Sequence, residues 1–246
     1  MRRLLVWALF SLAAFAAVPA PSGPPAYPVP DGLPDGWYAH MDTSMGRILV
    51  LLLAEQSPQA VAHFAALANG EMEWSDPITG EKLKQPYYDG ALVTRAKGGL
   101  MFEAGDKSGT GGFAPAIFVP LEGAEPVNFS LGNRVGLKRL GGGQVSATRF
   151  FITASAQPFL TGEHSCIGVV VEGQNLVFEI TAVKTRPTGD PIEDVEFHKI
   201  RVFRVGNPDP LPEPIPYFPP PMMRKMERSD PSDPPGAGAG GRTQVP

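Results

Sequence analysis

The stretch Tyr87 to Asp106, YYDGALVTRAKGGLMFEAGD, decides the fold prediction for this chain. It opens with the turn pair Asp89-Gly90, passes through the apolar residues 91–93 and reaches a cation, Arg95. A second apolar run follows directly after the flexible pair Gly98-Gly99. Short apolar segments that are bounded by glycines and carry Val, Leu and Phe predict two β-strands joined by a tight bend.

Arg95 is the residue in this stretch that needs a physical explanation. A charged side chain between apolar strands is costly to bury unless a nearby group accepts hydrogen bonds from it. The sequence therefore marks Arg95 as a candidate functional residue.

The stretch resembles the core of the cyclophilin family, whose usual pattern is Tyr-x-Gly, then Phe-His-Arg, then Phe-Met-x-Gln-Gly-Gly-Asp. Tyr88 and Gly90 match the first part. Val93-Thr94-Arg95 stands where Phe-His-Arg is expected, and the run from Leu100 to Asp106 stands where the last part is expected. The arginine, the methionine and the final Gly-Asp are identical to the family pattern, whereas several neighbours differ.

A second block makes the resemblance specific. The run from Arg149 to Thr153 is similar to the family's Gln-Phe-Phe-Ile-Thr, and the run from Phe159 to His164 is similar to its Trp/His-Leu-Asp-Gly-Lys-His. Both blocks occur in the family's order and at its separation. The resemblance extends from about Trp37 to Val205, and the chain is identified as a divergent, bacterial-like secreted cyclophilin.

The resemblance implies a mainly β fold, a closed antiparallel eight-stranded barrel capped by two α-helices. The residue pattern is consistent with it. Ser57 is a suitable N-cap for a first helix that starts at Pro58 and ends near Asn69-Gly70. Within that helix His63 is interpreted as a surface or stacking residue, and the second helix is expected at Leu176 to Val183.

Four regions follow from composition. Residues 1–20 have a positively charged start and a short apolar run, which predicts a signal peptide and a periplasmic or secreted protein. The alternative is an uncleaved membrane anchor, and Pro21 leaves the cleavage site open. Residues 21–36 form a Pro/Gly-rich linker, residues 37–206 the cyclophilin-like domain, and residues 207–246 a Pro/Gly-rich tail expected to be disordered.

The totals exclude several classes of partner. The formal net charge of -4 argues against nucleic acid and anionic membranes, since both favour dense Lys and Arg. Cys166 is the single cysteine, so no internal disulfide forms, and we expect it to be a small buried hydrophobe. We expect a monomer that has no stable membrane insertion after leader cleavage and whose partners are proline-containing polypeptides.

The resemblance also implies a reaction, the cis-trans isomerisation of X-Pro bonds, which needs no nucleophile, metal or cofactor. Amide resonance sets a barrier of about 18–20 kcal/mol, and a donor aimed at the prolyl nitrogen lowers it. By resemblance Arg95 is the catalytic donor. The implied substrate-binding residues are Leu100, Met101, Glu103, Phe151, Phe159, Leu160 and His164.

Departures from the family pattern leave two functions open. Glu103 replaces a glutamine and could hold Arg95 in a bidentate pair, or Arg149 could draw the carboxylate away. Leu100 replaces a phenylalanine and should loosen the grip on proline. A Met-Ala-Asn segment of the family is replaced by residues 136–140, which could still form a strand. The chain is therefore either an isomerase of reduced activity that assists folding of exported proteins, or a weak or inactive module that binds proline-containing peptides.

Overall fold

The computed structural model describes residues 30–111, 117–123, 128–141 and 143–215. The strands are β1 (Gly36–Thr43), β2 (Gly46–Leu52), β3 (Trp74–Ser75), β4 (Lys82–Leu83), β5 (Ala91–Lys97), β6 (Met101–Ala104), β7 (Phe118–Pro120), β8 (Arg134–Gly141), β9 (Gln144–Thr153), β10 (Ser165–Glu172) and β11 (Glu196–Val205). The helices are α1 (Pro58–Asn69) and α2 (Gln174–Thr181), with a short 3-10 helix at Pro158–Leu160.

Eight strands form a closed antiparallel barrel. Hydrogen bonding runs in the order β6-β5-β11-β1-β2-β10-β8-β9, and β9 pairs back onto β6 to complete the circle. β7 adds to the outer part of β9, and β3 and β4 form a separate two-stranded hairpin. The predicted barrel with two helices is confirmed. Closure removes the open sheet edges that would otherwise pair with other chains.

Aliphatic and aromatic side chains fill the barrel interior. Phe150 lies at its centre, with its ring edge on Phe197 at a centroid distance of 5.4 Å and on Tyr88 at 5.6 Å. α1 closes one end of the barrel, since Phe64 is buried against both Tyr88 and Phe150. The Tyr88 hydroxyl donates to the carbonyl of Ala147 at 2.6 Å, so the start of the stretch that decides the fold is tied to β9.

α1 has the predicted bounds, but its N-terminus is not capped as predicted. The Ser57 hydroxyl donates to the Cys166 carbonyl at 2.8 Å and makes no hydrogen bond to the helix, because it is fully buried beside β10. Gly70 ends the helix in the left-handed conformation, with φ of 75°. Cys166 is buried, and that burial raises the pKa of its thiol to about 11. α2 begins two residues earlier than predicted and ends at Thr181.

The compact unit that contains the barrel ends at Ile215, not at residue 206. Leu211 is buried in the main core, and the Trp37 indole donates to the Asp209 carbonyl at 2.8 Å. Residues 207–215, which we call the C-terminal strap, thus pack on the barrel, and the expectation of a disordered tail is wrong for them. Their prolines restrict the backbone, so little conformational entropy is lost when the strap docks.

His63 is also placed differently from its prediction. The ring is buried, and its two nitrogens lie 2.9 Å from the Gln59 carbonyl oxygen and 3.0 Å from the Ile215 carbonyl oxygen. It therefore joins α1 to the C-terminal strap.

The predicted leader, the linker up to residue 29 and the tail beyond Ile215 lie outside the described residues. Among the described residues, no helix has the length and apolar character needed to cross a bilayer.

Candidate active site

A row of four residues crosses the outer face of the barrel. Arg95 on β5 is directly opposite Glu103 on β6, Glu103 is opposite Phe151 on β9, and Phe151 is opposite Gly136 on β8. Residues directly opposite each other project from the same face of a sheet. Their neighbours Phe102 and Phe150 belong to the interior core, so this row faces outward. Strand spacing places the Cα atoms of Arg95 and Phe151 about 10 Å apart.

An apolar cluster lies at one end of this row, separate from the barrel core. It contains Met101, Phe129, Phe151, Leu160 and Cys166, all of them buried. Met101 and Leu160 keep 8% and 7% of their surface exposed, so they form its outer wall. The family resemblance implied Met101, Phe151 and Leu160 for this pocket, and the sequence analysis missed Phe129, which packs on Phe151 at a ring centroid distance of 5.3 Å.

Gly136 makes room for these rings. A Cβ at this position would lie 2.3 Å from Cζ of Phe151 and 2.7 Å from Cζ of Phe129. The absence of a side chain on β8 therefore allows two aromatic rings to fill the outer surface of the barrel.

Two predicted pocket residues lie at the rim and are largely exposed. Leu100 is 45% exposed in the turn between β5 and β6, and Phe159 is 70% exposed in the 3-10 helix. His164 is half-buried, with its ring edge against Phe151 at 5.1 Å. Burial lowers the pKa of His164, and the charges of Lys138 and Arg139 add to that effect. The imidazole is thus neutral at pH 7 and extends the apolar wall.

Glu103 is held by two cations. Its carboxylate pairs with the Lys138 ammonium and lies 3.8 Å from Nη2 of Arg149. The side chains of Glu103 and Arg149 retain only 13% and 11% exposure. Of the two arrangements that the sequence left open, the structure therefore has the one in which Arg149 engages the carboxylate. The part played by Lys138 was missed, since it lies in the segment that departs most from the family pattern.

The Arg95 guanidinium has no carboxylate within 4.0 Å among the residues that the structure describes. Its side chain is exposed and rests against the backbone of Gly189, where a Cβ would be 3.4 Å from Cγ of Arg95. Gly189 is fixed by hydrogen bonding of its carbonyl to the amide of Ala96 on β5 at 2.9 Å. The cation is thus supported along its aliphatic part, and its N–H groups are left for a ligand.

This arrangement brings an available guanidinium to the side of an apolar wall. It has the chemistry to seat a small apolar ring and to donate hydrogen bonds to a polar atom beside that ring. Within the described residues, no group of three or more His, Cys, Asp or Glu side chains is arranged to hold a metal ion.

Comparison with known proteins identifies the family. The family model "Cyclophilin type peptidyl-prolyl cis-trans isomerase/CLD" matches residues 38–202. Peptidyl-prolyl cis-trans isomerase B of Streptomyces anulatus is 34% identical over 168 residues, which are 67% of this chain and 95% of that protein. Peptidyl-prolyl cis-trans isomerase A of Mycobacterium tuberculosis is 29% identical over 166 residues, which are 67% of this chain and 91% of that protein.

Solved structures share the fold. A cyclophilin type peptidyl-prolyl cis-trans isomerase from Cryptosporidium parvum superposes with a TM-score of 0.57 and 19% identity, over 71% of this chain and 99% of that one. The same protein crystallised in the presence of the dipeptide Ala-Pro gives a TM-score of 0.56 over 69% of this chain and 99% of that one. The match to the family model and the sequence identity to the relatives show that the chain belongs to the cyclophilin-type peptidyl-prolyl cis-trans isomerase family.

Proposed function

We propose that this protein is a peptidyl-prolyl cis-trans isomerase that acts on proline-containing polypeptides, with Arg95 as its catalytic residue. Membership of the family and the relatives named for this activity support the reaction. The observation that carries the assignment of Arg95 is that Glu103, the carboxylate directly opposite it on β6, is engaged by Lys138 and Arg149. The guanidinium therefore has donors to offer a substrate.

The proposed mechanism uses the change in the prolyl nitrogen as its bond twists. In the planar ground state the nitrogen lone pair is delocalised into the carbonyl, and that resonance sets the barrier. In the twisted state the nitrogen becomes pyramidal and regains its lone pair, so it accepts a hydrogen bond from Arg95. Because the interaction exists mainly in the twisted state, it lowers the barrier without tightening ground-state binding.

The substrate proline ring would lie on Met101, Phe151 and Leu160. A ring on this wall is within one side-chain length of Arg95, since the Cα atoms of Arg95 and Phe151 are about 10 Å apart. The exposure of Leu100 and Phe159 supports an open pocket that encloses only part of the ring. Reduced enclosure weakens apolar contact with the substrate, so we expect a raised KM and an activity below that of an enclosed pocket.

We further propose that the clients are exported proteins. The support is the leader-like sequence of residues 1–20, which has two arginines followed by an uncharged apolar run. Cell fractionation with a tagged full-length chain tests it, and recovery of the protein only from the cytoplasm would contradict it.

A coupled isomerisation assay on a proline tetrapeptide tests the activity with wild type, Arg95→Ala and a matched control, Arg204→Ala. Arg204 is an exposed arginine on β11, opposite Trp37 and outside the candidate site. We expect the Arg95 variant to lose at least tenfold in kcat/KM, which is about 1.4 kcal/mol of transition-state stabilisation. The control should keep the wild-type rate.

A module that binds proline-containing segments without turnover is the second candidate function. The observation that favours it is the 70% exposure of Phe159, which leaves one side of the pocket open. Equal rates for wild type and Arg95→Ala, both near the uncatalysed rate, would reject the enzyme and favour this second function.

A further inference from the structure

A polar cleft adjoins Arg95. Its volume is 730 Å³, and it lies between β5, β6, β8 and two loops. The residues that line it are Thr94, Arg95, Glu103, Gly109, Thr110, Gly111, Lys138, Pro187, Thr188 and Asp190. Any peptide whose proline reaches Arg95 therefore has neighbouring residues close to this cleft.

The lining of the cleft carries two cations and two carboxylates. Arg95 and Lys138 line it, and Arg149 stands behind Glu103 with Nη2 donating to the Gly111 carbonyl. Among the described residues that line the cleft, Glu103 is the carboxylate that lies against Lys138 and Arg149.

Asp190, the second carboxylate of the cleft, is paired with a cation of its own loop. Arg186 donates to it at 2.5 Å, and the Thr188 hydroxyl donates to its other oxygen. These hydrogen bonds, that of Thr188 first, lower the pKa of Asp190, so this pair keeps opposite charges at neutral pH. With Asp190 paired to Arg186, the other charged groups of the lining are two cations, Arg95 and Lys138, and one carboxylate, Glu103.

We propose that this cleft is a subsite that selects substrates with an acidic side chain close to the proline. The inference rests on the proposed isomerase function and adds the substrate class. A peptide carboxylate would supply the counter-charge that Glu103 alone does not provide. The Lys138 ammonium has three donors and its pairing with Glu103 uses one of them, so it can also bind a substrate carboxylate.

The charge of Lys138 lies where this chain departs from the family pattern. Lys138 lies in the segment 136–140, where the sequence departs from the Met-Ala-Asn of the family pattern. Its side chain shares the outer face with the row through Glu103, because Leu137 points into the barrel core. A substitution that adds a cation beside the catalytic donor changes selectivity more than affinity, since complementary charge mainly excludes wrong partners.

Matched tetrapeptide pairs test the subsite in the full-length protein. Each pair has Glu or Gln at one of the two positions before the proline or at the position after it, and kcat/KM is measured at low and high salt. At one or more positions we expect the Glu peptide to be isomerised about threefold faster at low ionic strength, the range of one partly exposed ion pair. Salt should remove the preference.

Variants assign the preference to Lys138. Lys138→Gln should reduce the Glu/Gln ratio towards one, and Lys138→Arg should retain it. Lys82→Gln is the control, because it removes a lysine from another lysine–glutamate pair, 2.9 Å apart and on the exposed β3–β4 hairpin. A wild-type ratio of one at every position, or a ratio unchanged in Lys138→Gln, would overturn the subsite. Failure to isomerise any of the peptides would instead overturn the isomerase function on which the subsite rests.

Discussion

Replacement of Glu103 by glutamine removes the negative charge that the two cations share while keeping the shape of the side chain. The structure places this carboxylate against Lys138 and 3.8 Å from Arg149, at 13% exposure. If this arrangement holds Glu103 away from Arg95, the variant should lose folding stability, because two partly buried cations lose their counter-ion.

The magnitude follows from the geometry. One pair of charges about 4 Å apart is worth about 4 kcal/mol at an effective dielectric constant near 20. Desolvation and the mutual repulsion of Lys138 and Arg149 offset most of that attraction. Breaking a fully buried pair costs about 3–5 kcal/mol, whereas an exposed pair contributes about 0.2–1 kcal/mol. Glu103 lies between these limits, so we expect a loss of about 2 kcal/mol.

Urea unfolding at pH 7 in low and high salt measures this loss. The difference between wild type and Glu103→Gln should shrink as salt screens the more exposed Lys138. Arg95→Gln is the control, since this arginine has no carboxylate within 4.0 Å among the described residues, and its stability should change by less than about 0.5 kcal/mol. If Glu103→Gln matched wild type, the carboxylate would not stabilise the two cations; if Arg95→Gln lost as much stability as Glu103→Gln, the carboxylate would be paired with Arg95. Either result would contradict the arrangement described here.

Three further predictions concern the scaffold. Leu211→Ala should lower the free energy of unfolding by about 2 kcal/mol, because it removes the buried anchor of the C-terminal strap; an unchanged urea midpoint would show that the strap is not docked. Gly105→Ala should prevent folding or cost more than about 3 kcal/mol, since φ is 92° and the new Cβ would lie 2.2 Å from the Thr148 carbonyl oxygen; a soluble variant with the wild-type melting temperature would contradict this. The free energy of unfolding should fall as the pH drops from 7.5 to 5.5, because burial holds three histidine pKa values below the unfolded value of about 6.5 and the unfolded chain therefore binds more protons. Urea unfolding at both pH values measures this change. Equal or higher stability at pH 5.5 would contradict the prediction. These histidines are His40, His63 and His164.

Features that depend on local backbone geometry could be predicted from the sequence. Pro58 starts α1 because a proline fits the first turn, and Gly70 ends it because the left-handed conformation suits a residue without Cβ. The bend at Gly98-Gly99 between β5 and β6 is local in the same way. The order of the barrel strands came from resemblance, since period-two patterning alone does not fix which strands pair.

Features that depend on tertiary contacts were missed. Ser57 has the sequence position of a helix N-cap, yet its hydroxyl donates a hydrogen bond to the carbonyl of Cys166, 109 residues away in sequence. Composition marks the C-terminal strap as disordered because it is rich in proline, but Leu211 finds an apolar site on the barrel. The choice between Arg95 and Arg149 as the partner of Glu103 depended on tertiary contacts, and Lys138 on β8 was missed as a partner.

Exchange spectroscopy on a proline peptide tests most directly whether the Arg95 guanidinium drives turnover. With a catalytic amount of wild-type protein, cross-peaks between the cis and trans proline signals should appear at mixing times far shorter than the tens of seconds of uncatalysed exchange. Arg95→Ala should still shift the peptide signals on binding to the apolar wall, yet give no cross-peaks at those mixing times. Cross-peaks of equal intensity in both proteins would contradict the assignment of Arg95 as the catalytic donor.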